Sequence, residues 1–455
     1  MKKLFYLDTR SLALFRIALG LVLLCDLWVR SEGLTAHYTD EGVMPRFLFE
    51  KVNSPTTSWI GPHFLGGTST FQIFLFCLHG LFAVALIIGY QTQIALFLCW
   101  VLLLSLHDRN PLVLNGGDLL FRMLFFWGLF LPLGHSWSLE SRSPPKQVVG
   151  IPSIAFLLQL CLVYWIAAVY KWNQDWLSGK AVGFALNVDQ FTTSFGLWLR
   201  EHPIFYKPLT YLTLGIEMGG PLLVWVPFKH GFYRTLGVFL MIFTHFCFNM
   251  GLELGMFSLI CTAGWLAFLP SSFWRDADDL EKIVTGKILN GIAALLIVYI
   301  AIYNFSDALY PKSTWTALWV RPGAYLHLEQ KWNMFSRPPR DGGWYAVAAQ
   351  RSSGEKPVDL WREEAMSWTP PEPISSSFPN ARWRKYMMNL WFRDFHGHRR
   401  YFVDYLIKRW ESQHPGENIT AVQMIYLSTN TSENFERSKE KKISLYRFTK
   451  HDKSE

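Results

Sequence analysis

A lysine stands directly after a long apolar run in "IAAVYKWNQDWLSG", residues 166–179. Trp172, Asp175 and Trp176 follow Lys171 within five residues. An ammonium at the edge of a bilayer is either an anchor in a belt of aromatic side chains or a reactive group. A lysine amine enclosed by apolar walls is disfavoured in its charged form, so that it can act as a general base. The sequence leaves both interpretations of Lys171 open.

Two more ionisable residues interrupt apolar runs, where a charge is costly and marks a functional site by default. Glu217 lies in one run, and His245 lies in the aromatic run "IFTHFCFNM". Glu217 either hydrogen-bonds a neighbouring helix or belongs to the site, and His245 is either a satisfied structural histidine or a site residue. We predict Lys171, His245 and Glu217 as the catalytic residues, with Lys171 as the base and the other two shaping its pocket.

A further set of residues is predicted to form the pocket or an ion-pair network. Most of them fall toward one face of the membrane, beneath the loop "NPLVLNGGD", and Asp26 and Arg30 together end the first apolar run. Arg16 is the exception, and its alternative interpretation is a packing contact near Gly20 plus an internal ion pair with Asp26. The predicted set is Arg16, Asp26, Arg109, Asp118, Arg122, Asp175 and Trp176. Cysteines with metal-ligand spacing are absent from the sequence, so we predict no metal site.

The composition indicates a membrane protein. Of the 455 residues, 51% are hydrophobic and only 17% are charged, against about a quarter charged in soluble domains. A spanning helix needs about 20 mostly apolar residues. The sequence predicts an all-α polytopic bundle of about nine transmembrane helices, near 12–29, 70–90, 92–106, 119–134, 151–170, 209–227, 232–250, 254–270 and 288–306.

The chain becomes polar, basic and rich in proline after the last apolar run. "WYAVAAQRSSGEKPVDLW" has the pattern of a hairpin, "FVDYLIKRWESQ" has helical spacing, and "AVQMIYLST" and "ISLYRF" have that of strands. We therefore predict a transmembrane domain over residues 1–308 and a small soluble α+β domain over residues 309–455.

Lysine and arginine are denser in the loops on the side of the N-terminus, which favours a cytoplasmic N-terminus. Nine spans then place the C-terminal domain on the extracytoplasmic side. The net charge of +8 is scattered over loops and tail, so the sequence predicts membrane lipids as partners and no nucleic acid.

Four stretches carry a family resemblance that covers about residues 10–270. "LALFRIALGLVLLCDLWVR", "LTAHYTDEGVMPR", "IAAVYKWNQDWLSG" and "HFCFNMGLELGMFS" resemble segments of the membrane domain of vitamin K-dependent γ-glutamyl carboxylase and of its bacterial relatives, the horizontally transferred transmembrane (HTTM) proteins. The short tail, with "KWNMFSRPPRDGGW", is similar to that of bacterial members, which implies the inner membrane of a bacterium.

The resemblance implies a role for Lys171 as the catalytic base. In the family this lysine deprotonates reduced vitamin K, oxygenation gives a stronger base, and that base removes a γ-proton of glutamate so that carbon dioxide can add. His245 stands at a family histidine, and Glu217 stands near a family acidic residue. We thus expect a quinone-dependent, carboxylase- or oxygenase-like enzyme, with reduced vitamin K or a related quinone as co-substrate and an unknown peptide, lipid or small molecule as acceptor.

Two departures from the family favour a second interpretation. The carboxylase has an active-site histidine where this chain aligns Arg109, Asn110 or Pro111, with His107 displaced, and it carries a large lumenal β-rich part that is lacking here. The alternative is a non-catalytic HTTM protein that serves export, immunity or partner binding. A secondary transporter is a weaker third interpretation, because the sequence has no inverted repeat.

Overall fold

Helices dominate the first part of the computed structural model, which describes residues 2–48, 61–141, 143–275, 280–309, 320 and 322–450. They are α1 (Thr9–Ser31), α2 (Leu34–Tyr38), α3 (Ser69–Ile88), α4 (Thr92–Arg109), α5 (Gly116–Gly128), α6 (Ile151–Tyr170), α7 (Gln174–Leu177), α8 (Ala181–Leu186), α9 (Ser194–Arg200), α10 (Tyr206–Gly219), α11 (His230–Gly251), α12 (Phe257–Leu266) and α13 (Lys287–Leu309).

Five of these helices, α1, α3, α6, α11 and α13, are long and apolar enough to cross a bilayer within the described ranges. Their outward side chains are apolar: Leu81 on α3, Phe243 on α11 and Leu295 on α13 are 62%, 61% and 75% exposed. A surface of this kind is stable against lipid and not against water. The protein is therefore a membrane protein.

The nine predicted spans are not confirmed, because α4, α5, α10 and α12 have only 18, 13, 14 and 10 residues. Local sequence explains two of the short helices. After α10 the chain tightens into a 3-10 turn, Gly220–Trp225, where Pro221 lacks the backbone N–H that an α-helix needs. Before α12, Gly255 has φ +61, a conformation that side-chain-bearing residues rarely adopt.

A small sheet joins the segments that precede three of the long helices. Strands β1 (Leu7–Asp8), β2 (Gln147–Val149) and β3 (Lys282–Val284) lie in the order β1-β2-β3 and lead into α1, α6 and α13. These three helices consequently begin at the same end of the bundle. We call the opposite end, where α1 and α6 finish, the distal end.

The C-terminal part is a five-stranded antiparallel sheet with two helices. The sheet has the order β6-β5-β4-β7-β8, with β4 and β5 paired as the predicted hairpin. The predicted helix and the last two predicted strands are confirmed as well, whereas the division at residue 308 stays a prediction. The elements are β4 (Asp341–Arg351), β5 (Val358–Asp359), β6 (Glu364–Ala365), α14 (Ala381–Trp391), α15 (His398–Gln413), β7 (Ile419–Asn430) and β8 (Lys441–Thr449).

The C-terminal sheet and helices share one hydrophobic core with loops of the distal end. Tyr386 of α14 and Phe402 of α15 are fully buried and belong to the same cluster as Met44, Leu112 and Val113 of the bundle. Burial of apolar surface stabilises an interface by about 25 cal/mol per Å². The C-terminal domain is thus packed onto the bundle at the end that holds most of the predicted site residues.

Candidate active site

Lys171 and Glu217 form a buried ion pair at the distal end. Lys171 caps the C-terminus of α6, Glu217 lies in the last turn of α10, and the Lys171 Nζ contacts both carboxylate oxygens. Their exposed fractions are only 4% and 5%. Each charge compensates the other in this enclosed position, and removal of one partner would leave an unpaired buried charge.

The chain after α6 turns back and brings an indole ring over the ammonium. Asn173 caps the short helix α7 by accepting a hydrogen bond from the Asp175 N–H at 3.2 Å. This turn places the ring of Trp176 4.9 Å from the Lys171 Nζ, a cation–π distance. The ammonium is therefore enclosed by a carboxylate and an aromatic face.

His245 belongs to a hydrogen-bonded chain that joins three helices. Its Nε2 lies 2.6 Å from the Tyr164 hydroxyl on α6, and the Trp265 Nε1 on α12 donates to the same hydroxyl at 2.9 Å. Tyr164 precedes Lys171 by two helical turns, about 10 Å along the axis. The structure thus pairs Lys171 with Glu217 and places His245 against Tyr164, farther along α6.

The Nδ1 of His245 is buried and has no hydrogen-bond partner among the described residues. The rings of Phe257 and Phe248 stand edge-on to the imidazole, with centroid distances of 5.4 and 5.9 Å. A buried polar atom without a partner is costly in a dry protein, and such atoms often mark a bound molecule.

A segment that follows α13 lies over the Lys171 turn, and we call residues 331–340 the covering segment. Its Phe335 carbonyl accepts from the Trp176 Nε1 at 3.0 Å, and its Ser336 carbonyl accepts from the Asn173 Nδ2 at 2.7 Å. Arg340, at the end of the segment, pairs with Asp175 at 2.9 Å. Asp175 and Trp176 therefore hold the covering segment in place, a role that the sequence did not reveal.

Asp26 and Asp118 belong to a second network, the four-charge ring. The Arg30 Nε lies 2.7 Å from Asp26, and the Arg30 Nη2 lies 2.6 Å from Asp118. Arg382 of α14 closes the ring at 2.5 Å from Asp26 and 2.6 Å from Asp118. His107 lies at its margin, with Nε2 3.5 Å from Asp118. Two carboxylates and two guanidiniums thus cancel their charges at the junction of the bundle and the C-terminal domain.

Two other predicted site residues hold loops of the distal end and are not brought to Lys171. The Arg109 Nη1 donates to the Met44 carbonyl at 2.5 Å, while its Nη2 lies 3.5 Å from Asp40. The Arg122 Nη2 lies 2.9 Å from a carboxylate oxygen of Glu329. These contacts fasten loop segments to α4 and α5.

Arg16 lies toward the other end of the bundle and binds backbone carbonyls. Its guanidinium donates to the Ile87 carbonyl at 3.3 Å and to the Trp137 carbonyl at 2.5 Å. The alternative of an internal ion pair with Asp26 is wrong, because Asp26 pairs with Arg30 and Arg382. Arg16 therefore donates hydrogen bonds to backbone carbonyl groups at the end of α3 and in the loop that follows α5.

Sequence reasoning missed three residues of these networks. Tyr164 carried a weak signal, since it lies seven residues before Lys171 and so on nearly the same face of α6. Phe335 contributes through its backbone carbonyl, which no pattern of side chains reveals. Arg382 lies 356 residues from its partner Asp26, in a helix with no other mark of a site.

Neither of the two cavities described for this structure is lined by Lys171, Glu217 or His245. Within the described ranges, no group of three or more His, Cys, Asp or Glu side chains is placed to hold a metal ion. The site therefore offers acid–base and hydrogen-bonding groups.

A family model described as "HTTM domain" matches residues 6–274, more than half of the chain, and includes Lys171, Glu217 and His245. No solved structure matches the chain.

Proposed function

We propose that this chain, which belongs to the HTTM-domain family, is an integral-membrane, quinone-dependent enzyme of the carboxylase or oxygenase kind with Lys171 as its general base. The observation that carries the proposal is the Lys171–Glu217 pair, which is buried beneath Trp176 and the covering segment. The contacting carboxylate favours the ammonium form of Lys171, so Lys171 acts as a base in this proposal once Glu217 has taken its proton.

Glu217 is the group that takes the proton from Lys171 in this proposal. Transfer of a proton from the ammonium to the contacting carboxylate leaves a neutral amine beside a neutral acid. A neutral pair costs less than two charges where water is excluded, if a bound molecule lengthens the contact. The Lys171 Nζ can then accept a proton from a weakly acidic hydroxyl of the co-substrate.

Groups around Lys171 could contact a reduced quinone in this proposal. The Nδ1 of His245, buried and without a partner among the described residues, offers one hydrogen bond to a ring oxygen, and the rings of Trp176 and Phe257 offer aromatic faces. When bound, the quinone would supply the reducing electrons for a reaction with oxygen. Lys171 and His245 would orient the head group, and the covering segment would keep water from the amine.

A second function is supported by a specific observation. Both carboxylate oxygens of Glu217 contact the Lys171 Nζ, and neither described cavity borders the pair. Asp175 and Trp176 also have structural roles in holding the covering segment. A non-catalytic HTTM protein, in which the pair only joins α6 to α10, has this same arrangement.

The proposed topology has nine crossings, a cytoplasmic N-terminus and an extracytoplasmic C-terminal domain in a bacterial inner membrane. It is supported by the denser lysine and arginine residues of loops on the N-terminal side. The short helices α4, α5, α10 and α12 would cross as tilted or paired elements. The acceptor would then be bound from the extracytoplasmic side or from the bilayer.

Purified protein in lipid nanodiscs distinguishes the two functions. We expect extraction and mass spectrometry to find a bound quinone, and we expect oxygen consumption on addition of reduced quinone. Lys171→Met should abolish that consumption, while Lys180→Met, a partly exposed lysine of the next loop that pairs with Glu433, should retain it. Equal turnover by Lys171→Met and the parent protein would contradict the assignment of Lys171 as the base and would leave Lys171 only a structural role.

A further inference from the structure

A cavity of about 370 Å³ lies between the distal end of the bundle and the C-terminal domain. Its volume falls within the range of small-molecule sites. Polar and charged side chains from both parts of the chain line it, among them Asn115, Asn249, Glu253, Asn380 and Arg384. It is separate from the Lys171 site, since Lys171, Glu217 and His245 do not line it.

Three helices begin at the wall of this cavity. The residues that cap the N-termini of α5, α12 and α14 are Asn115, Met256 and Asn380, and all three line the cavity. A helix N-terminus carries roughly half a positive charge and presents free N–H groups. The Phe257 N–H at the start of α12 donates to the Leu254 carbonyl at 3.4 Å, and Met256 makes no side-chain cap bond to the N–H groups that follow it.

Side chains add further hydrogen-bond donors. Arg384 is 3% exposed and stacks over the Phe191 ring at 4.8 Å, which fixes the plane of its guanidinium. The amide nitrogens of Asn115 and Asn249 make no hydrogen bond in the part of the chain that the structure describes, whereas the Asn249 Oδ1 accepts from Ser258 at 3.0 Å. The cavity thus combines a held arginine with amide donors.

One carboxylate competes for the arginine. Glu253 lies 2.7 Å from the Arg384 Nη1, and its side chain is 46% exposed, so it can turn toward water. The acids Asp26 and Asp118 are each occupied by Arg30 and Arg382 in the four-charge ring. Glu253 is therefore the counter-ion that an incoming anion would displace.

We propose that this cavity binds the phosphate group of a ligand, with Arg384, Asn115, Asn249 and the N-terminus of α12 as its donors. A tetrahedral phosphate accepts hydrogen bonds from several directions at once, which suits donors that arrive from three helices and two domains. A phospholipid head group and a soluble phosphate ester share this chemistry. The site does not depend on the proposed enzymatic activity.

Binding to the full-length protein in a phosphate-free detergent tests the proposal. One arm compares short-chain phosphatidic acid with the matched diacylglycerol by native mass spectrometry. The other compares glycerol 3-phosphate with glycerol by thermal shift. We expect the protein to bind the phosphate compound in preference to its partner in at least one arm. The arm that shows the preference tells whether the ligand is a phospholipid or a soluble phosphate ester. Equal binding of the two compounds in both arms would overturn the proposal.

Two substitutions with opposite expected effects on phosphate affinity test whether the ligand binds in the cavity. Arg384→Gln should weaken phosphate binding about tenfold, since it removes a charge-assisted hydrogen bond. Glu253→Gln should tighten binding, because it removes the competing charge and keeps a partner for Arg384. Arg400→Gln, an exposed arginine of α15, is the matched control and should change nothing. Unchanged affinity in both cavity variants would show that phosphate binds elsewhere.

Discussion

Arg382 of α14 and Asp26 of α1 form a buried ion pair although 356 residues separate them in the chain. The pair belongs to the four-charge ring, whose members are at most 3% exposed. The C-terminal domain therefore contributes a charge that the bundle needs for neutrality, and the two parts of the chain stabilise each other.

Replacement of Arg382 tests this dependence. Arg382→Met leaves two buried carboxylates to share Arg30, and we expect a loss of roughly 3–5 kcal/mol in the free energy of unfolding. Thermal or denaturant unfolding of the purified protein measures it. Arg400→Met, at an exposed site on α15, should shift stability by no more than about 0.5 kcal/mol. Equal effects of the two substitutions would contradict a neutralising role for Arg382.

The Lys171–Glu217 pair allows its structural and chemical roles to be separated. Either single variant, Lys171→Met or Glu217→Leu, should destabilise the protein because one buried charge remains unpaired. The double variant replaces the pair with apolar side chains and should recover most of the lost stability. We expect it to consume no oxygen with reduced quinone. Activity in a stable double variant would refute the assignment of the base.

The contact between Asp175 and Arg340 should control how firmly the covering segment lies over Lys171. Both side chains are partly exposed, at 16% and 35%, so Arg340→Ala should change global stability by no more than about 1 kcal/mol. Its effect should be local: faster cleavage by a protease near residues 336–340. Arg337→Ala, an exposed arginine of the same segment, is the control. Cleavage at the parent rate in Arg340→Ala would show that other contacts hold the segment.

Asp359 in β5 gives the C-terminal domain an expected pH dependence. Burial raises the pKa of Asp359 above its usual value, although its Oδ1 accepts from the backbone N–H groups of Val347 and Trp361. The folded state then holds the proton to a higher pH than the unfolded state, in which the pKa is about 3.9. Stability is full below that value and falls as pH rises through the folded pKa.

Asp359→Asn should remove this loss, because the amide keeps the accepting oxygen and carries no charge. We expect the melting temperature of the variant, relative to that of the parent, to rise as the pH increases above about 4. Thermal unfolding at several pH values measures the difference. A difference that stays constant with pH would mean that Asp359 does not titrate abnormally.

The sequence predicted the membrane class and the C-terminal strands because these depend on local composition and periodicity. The helix lengths were less predictable. An apolar run such as 209–227 continues past Gly219 in hydropathy, but the helix ends there because Pro221 changes the backbone geometry. Hydropathy indicates whether a segment is apolar. It does not indicate where the backbone hydrogen bonds of a helix end.

The site was predictable only in part, for a similar reason. Lys171, Glu217 and His245 were singled out because ionisable groups are rare in apolar runs, and the structure brings the first two into contact. The partners Arg382 and Arg340 lie in a polar domain, where charged residues are common and give no signal. Their role depends on how the C-terminal domain docks, and docking is a property of surfaces and not of a sequence pattern.

The sheet β1-β2-β3 fixes the parity of the membrane crossings. Since α1, α6 and α13 all start from it, the chain makes an even number of crossings between residues 9 and 151 and again between 151 and 287. The number of crossings that the short helices make must therefore keep each of these two totals even. In the topology that we propose, the N-terminal segment and the C-terminal domain would thus lie on opposite faces, a relation that depends on three strands with eight residues in all.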